Sequence, residues 1–147
     1  MKNFLRIYSL VIIAFALFNI TGCEKKDKDD DVDKKDLITS HIWNFDELTT
    51  TSDSADVQLG VNLIAAFMTN ATLSVSANGT YTMTILGEPD DGTWEFNASE
   101  TSVILDKGTV DEIEQQIIQL TSSVLELKEI VEDPDYGNFD MTYRWIK

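Results

Sequence analysis

The sequence predicts an all-β domain, an antiparallel up-and-down barrel of about eight strands with one helix between strands 1 and 2. Three observations predict it. From Ala71 to the C-terminus, apolar and polar residues alternate with period two, as in strands that bury one face. The alternating runs are short and separated by turn residues, such as Asn78-Gly79 and Thr121-Ser122-Ser123. One stretch, Asp56 to Met68, departs from this period and is too apolar to be a free loop. Short strands joined by tight turns signal a meander closed into a barrel, or a sandwich.

His41 to Leu48 reads as the first strand. In Asp56 to Met68, Val57, Leu59, Val61 and Leu63 alternate like a strand, yet Leu63 to Met68 is continuously apolar and Ala-rich. Ser54 is a good N-cap, and Val57, Val61, Ile64 and Met68 share one helical face, so the segment is read as a helix covering one end of the barrel. Leu73 and Val75 follow in a strand that ends at Asn78-Gly79, a dipeptide that predicts a two-residue hairpin turn because both residues accept positive φ. Tyr81, Met83 and Ile85 alternate next, and Glu88-Pro89-Asp90-Asp91-Gly92 reads as a turn. Trp94 and Phe96 lead through Asn97-Ala98-Ser99 to Val103 and Leu105, where Asp106-Lys107-Gly108 ends the strand. Ile113 to Leu120 and Val124 to Val131 supply two more strands. A loop around Pro134 and Gly137 precedes the last, in which Phe139, Met141, Tyr143 and Trp145 alternate with polar residues.

The run NGTYTMTILGEPDDGTWEF followed by SVILD, together with Trp43 in the first strand and a helix before the hairpin, resembles the core repeat of bacterial lipocalin-like lipoproteins. The resemblance spans residues 37–147. It implies a small lipocalin-like barrel acting as a non-catalytic binding module. It also implies a structural latch, in which Arg144 near the barrel's end packs across the Trp43 indole; an outward Arg144 that offsets surface acidity is the alternative. Two features depart from the pattern. The usual Gly-x-Trp opening is Ser40-His41-Ile42-Trp43, and the Arg-x-Tyr carboxylate clamp of fatty-acid barrels is replaced by Tyr143-Arg144-Trp145.

Residues 1–22 carry Lys2 and Arg6 followed by an apolar run, Ile7 to Phe18, which reads as a secretory signal peptide. The run is shorter than the roughly 20 apolar residues that span a bilayer. It ends in Ile20-Thr21-Gly22-Cys23, which resembles a bacterial lipobox. That resemblance implies cleavage before Cys23 and acylation of its thiol with palmitate-type chains, several of which anchor a protein stably in a membrane. Residues 23–36 are then the acylated cysteine and a charged tether with too little apolar surface to fold. Its Lys28-Asp29-Asp30-Asp31 resembles an export signal of some outer-membrane lipoproteins, so a lipid-anchored outer-membrane location is expected, with cell surface and periplasmic face both open.

The chain of 147 residues has a net charge of −15, and loss of Lys2 and Arg6 leaves nine basic against 26 acidic residues, or −17. Such a charge argues against nucleic acid and against adsorption to anionic membranes, so lipid must supply the membrane contact. Cys23 is the sole cysteine, which leaves no disulfide to staple the fold.

No catalytic constellation is visible. The single histidine, His41, has no second histidine or free cysteine to work with, and it reads as an exposed or capping imidazole. No metal or cofactor is expected, because zinc sites want several His or Cys ligands and the acidic pairs flank turn residues. The aromatic and sulfur-bearing set Tyr81, Met83, Trp94, Phe96, Phe139, Tyr143 and Trp145 is the candidate lining of a cavity for a small apolar ligand. An eight-strand barrel is just wide enough to hold one small ligand or to be filled by its own side chains. With so many large aromatics, a filled or nearly filled interior is the first expectation, and it carries the alternative function of an envelope interaction protein without a ligand.

Overall fold

The computed structural model describes residues 32–147. The signal peptide, the lipobox, Cys23 and the acidic segment up to Asp31 lie outside the described residues. The elements in chain order are α1 (Lys34–Thr39), β1 (Ile42–Thr50), α2 (Ala55–Phe67), β2 (Thr72–Val75), β3 (Thr80–Ile85), β4 (Glu88–Phe96), β5 (Ser102–Leu105), β6 (Ile113–Leu120), β7 (Val124–Asp133) and β8 (Gly137–Ile146). Each strand pairs antiparallel with its sequence neighbours, and β8 returns to β1, so the sheet closes into an eight-stranded barrel with no free edge. Antiparallel order defines two ends. One carries α1 and the connections at 76–79, 97–101 and 121–123; the other carries α2 and those at 86–87, 106–112 and 134–136.

The helix α1 takes up Lys34 to Asp36, which composition alone assigned to the tether. Asp33 caps it, its carboxylate accepting from the Lys35 N–H at 2.8 Å. The helix holds because Leu37-Ile38 is apolar: Ile38 is 2% exposed, and Lys34 Nζ donates to the Glu100 carbonyl at 2.6 Å.

Ser54 caps α2 as its sequence position suggested, and Val57 and Val61 are buried against Leu48 of β1 and Met141 of β8, with Val131 and Phe139 alongside. These are inward-facing residues at their end of the barrel, so α2 covers the β7–β8–β1 sector of that mouth. Ile64 departs from the expected buried face and is 42% exposed, and Leu59, Leu63 and Phe67 form an exposed apolar stripe.

Two turns differ from the sequence reading. Asn78-Gly79 is not a two-residue turn. Val75 pairs with Tyr81, and the Gly79 N–H bonds back to the Ser76 carbonyl at 3.1 Å, so the loop is longer and only Gly79 is left-handed, at φ +88°. Asn78 instead accepts the Thr80 N–H and hydroxyl with its side chain, at 3.1 and 2.8 Å. Glu88 to Gly92 is strand rather than turn. The hairpin reverses one step earlier, at Leu86 (φ +54°) and Gly87 (φ +86°), and Thr84 pairs with Pro89. Two positive φ values in a two-residue loop match the twist of the flanking strands.

Two bulges keep the apolar set inside. In β1 the register slips at Asp46, between Phe45↔Trp145 and Glu47↔Arg144, so Glu47 turns outward and Leu48 inward. In β6 it slips at Ile118, which leaves Ile118 outside and Leu120 packed on the core. An extra residue on one strand shifts the inward-outward phase by one.

Because Gly79 is left-handed, Gly79→Val is expected to cost at least about 1 kcal/mol. Urea unfolding checks this, and an unchanged midpoint would contradict the turn described.

Candidate functional site

Inward-facing positions of β2 to β8 enclose a cavity of about 440 Å³. The interior is therefore not filled, which corrects the first expectation drawn from its aromatics. Several large aromatics pack at the α1 end, and the cavity reaches down to Ile38, Val75, Val103 and Leu125 there. Trp43 is fully buried there, its indole N–H donating to the Ile38 carbonyl at 2.9 Å, and Leu125 and Val103 are buried beside it. Trp94 donates its indole N–H to the Ser76 carbonyl at 2.9 Å and meets Phe96 edge-to-face at 5.2 Å.

Of the predicted lining set, Tyr81, Met83, Trp94, Tyr143 and Trp145 face the cavity. Phe96 and Phe139 do not. Phe96 is the last residue of β4 and packs into the α1-end core, and Phe139 is taken up beneath α2. Sequence reasoning missed the aliphatic wall, Leu73, Leu105, Leu127 and neighbours, and α2's contribution of Ile64 and Met68. It also missed the polar lining: Asp90, Asp106, Asp111, Gln115 and Glu129. For Gln115 and Glu129 the strand alternation was a signal, since each shares its inward phase with apolar neighbours (Ile117; Leu125 and Leu127).

Asp106, Gln115 and Glu129 are paired within the wall. Tyr81 donates its hydroxyl to Asp106 Oδ2 at 2.8 Å, while Asp106 Oδ1 accepts the Thr93 N–H at 2.8 Å. Gly92 opposite Tyr81 makes room, because a Cβ there would lie 2.4 Å from the Asp106 carboxylate and 2.5 Å from the Tyr81 ring. Tyr143 donates to Glu129 Oε2, as does the Gln115 amide, each at 3.4 Å. Burial first, then the Asp106 hydrogen bond and charge, raises the Tyr81 phenol well above its usual range. Burial, then the Glu129 charge and hydrogen bond, pushes Tyr143 up to about 12. Both phenols therefore remain donors.

The predicted latch is not formed. Arg144 lies on the outer face because alternation places it opposite Tyr143 and Trp145, and its Nε donates to Asp46 Oδ2 at 2.9 Å. His41 packs against the Trp43 ring at a centroid distance of 4.1 Å with the planes tilted by 51°, at the α1 end and outside the cavity. Its Nδ1 is 2.5 Å from Ser40 Oγ, which also donates to the Leu37 carbonyl at 2.9 Å. With that proton committed, Nδ1–H is the donor and the buried Nε2 is bare, which suits its lack of a partner among the described residues. Burial, then the Lys147 charge, lowers the imidazole pKa. Ser40 closes the C-terminal end of α1 and His41 follows it into β1.

No family model matches the chain, and no curated protein matches it. Among solved structures, the chain is similar to a DUF4847 family protein from Bacteroides vulgatus, at 13% identity over 74% of this chain and 95% of that one, with a TM-score of 0.46.

Tyr143 ionises near 10 in the unfolded chain and near 12 in the fold, so above pH 10 the unfolded state releases protons first. Stability is expected to be unaffected by this group below pH 10 and to fall between pH 10 and 12. In Tyr143→Phe that part of the fall should disappear from a melting-temperature profile against pH; an unchanged profile would mean the phenol is not buried against Glu129.

Proposed function

We propose that this protein is a lipid-anchored, non-catalytic binding module that holds one small, mostly apolar ligand inside its barrel. The observation that carries the reading is the cavity of about 440 Å³ walled by Leu73, Leu105, Leu127, Trp94 and Trp145. Ligand sites of soluble proteins are concave, mostly apolar and of a few hundred Å³. A non-catalytic role is supported by the placement of His41, which is outside the cavity and committed to Ser40. The anchoring half rests on Ile20-Thr21-Gly22-Cys23 after a basic and apolar leader, with an outer-membrane address inferred from the acidic run that follows.

A second reading, an envelope interaction protein, is favoured by the exposed stripe Leu59, Leu63 and Phe67 on α2. The same experiment separates the two. The neutral fluorescent probe N-phenyl-1-naphthylamine should bind the isolated domain, and Met83→Trp, which puts a larger side chain into the cavity, should weaken it about tenfold or more. A folded domain that takes no probe, or a Met83→Trp variant that binds as before, would leave the interaction reading.

For the anchor, cells expressing the full chain should incorporate labelled palmitate, and Cys23→Ala should abolish the label. Continued labelling of that variant would sink the lipoprotein assignment.

A further inference from the structure

The charges around the cavity all have one sign. Asp90, Asp106, Asp111 and Glu129 line it, and no lysine or arginine does. Basic side chains of the barrel are held outside: Lys107 pairs with Glu95, Lys128 with Asp140 at 3.1 Å, and Arg144 with Asp46. The charges are also placed at one end. Asp90 is near the start of β4, and Asp106 and Asp111 bound the loop before β6, all toward the α2 end of the barrel. Glu129 faces inward in β7 below them, whereas the floor toward α1 is Ile38, Val75, Val103 and Leu125. The cavity thus has an apolar floor and an acidic mouth, with Asp90, Asp106 and Asp111 on the β4–β6 side, away from the sector that α2 covers.

The hydrogen-bonding capacity is one-sided as well. The tyrosine hydroxyls and one of the two Gln115 amide N–H groups are spent on Asp106 and Glu129. Gln115 is only 8% exposed and lines the cavity, and its amide oxygen has no partner among the described residues. The free capacity is therefore mainly carboxylate and amide oxygen, and the remaining side-chain donors, the second Gln115 N–H and the Trp145 indole, are neutral. A carboxylate ligand would meet like charge and few donors. A ligand with N–H donors and a positive charge would donate to the Gln115 amide oxygen or to a lining carboxylate through a charge-assisted hydrogen bond, and would meet no like charge around the cavity. Among the described residues no three His, Cys, Asp or Glu are placed to hold a metal ion, which favours an organic cation.

We propose that the barrel takes an amphipathic amine, with its apolar body on the floor over α1 and its ammonium group at the Asp90–Asp111–Glu129 mouth. This rests on the binding-module reading above. The test uses three probes of one chain length, decylamine, decanol and decanoate, below their micelle concentrations, each displacing N-phenyl-1-naphthylamine from the domain at neutral pH. Decylamine is expected to bind about tenfold or more tighter than decanol, and decanoate more weakly than either. Glu129→Gln and Asp90→Asn should each reduce the preference for the amine over the alcohol and leave decanol affinity in place. A naphthylamine-binding barrel that holds decanol or decanoate as tightly as decylamine would overturn the amine proposal and spare the binding reading. A preference that survives both substitutions would also overturn it. A folded domain that binds neither naphthylamine nor any decyl probe would remove both.

Discussion

Burial of Trp43 is the interaction on which the rest of this structure depends. It sits at the start of β1, fully out of water, and its one polar atom is satisfied by the carbonyl of Ile38 in α1. That bond joins the burial of Ile38 and the Lys34–Glu100 contact in seating a six-residue helix beneath an eight-stranded barrel, and Ile38 in turn becomes part of the cavity floor. A buried tryptophan of this kind contributes about 3–5 kcal/mol when compared with alanine. Without disulfides, the domain must hold itself together by such packing, and it concentrates that packing at the α1 end, where Trp43, Val103 and Leu125 are all but excluded from solvent. From this floor the cavity opens toward the opposite end.

The hollow end is organised by a different principle, pairing of polar groups rather than apolar packing. Asp106 has a left-handed backbone (φ +50°), and its carboxylate ties the Thr93 amide to the Tyr81 hydroxyl. This fixes the β3–β4–β5 wall in the region where Gly92 leaves room for both side chains. Glu129 does the same for Tyr143 and Gln115 across β6 to β8. Each phenol is thereby held protonated and turned to a carboxylate. The carboxylates that satisfy the phenols are also among the residues lining the cavity, so the same groups shape its polarity.

The helix α2 links these two halves in an asymmetric way. It buries Val57 and Val61 over one sector of the mouth, lends Ile64 and Met68 to the cavity wall, and leaves Leu59, Leu63 and Phe67 in solvent. Its packing on the barrel is therefore narrow. An element with few buried apolar contacts belongs to the less stable part of a fold, and such elements commonly regulate entry to binding sites.

The sequence by itself determined the all-β class, the strand count and the antiparallel order, because period-two alternation and turn residues are local signals that each strand carries alone. It also determined the position of α2, through the Ser54 cap and the apolar run that follows. Tertiary structure alone decided what local patterns leave degenerate. The Asp46 and Ile118 bulges are one-residue slips that only the pairing of β1 with β8 and β6 with β7 reveals, and they choose which of Glu47 or Leu48 faces inward. Glu88 to Gly92 has turn composition, yet the register with β3 makes it strand and so turns Asp90 toward the mouth. Whether the aromatics filled the barrel or left a cavity was equally a matter of placement. Phe96 and Phe139 share the inward phase of their strands, but one is used by the α1-end core and the other by α2. Alternation fixes which face of the sheet a side chain takes, and only closure of the barrel fixes its height along the axis and the neighbours it meets there.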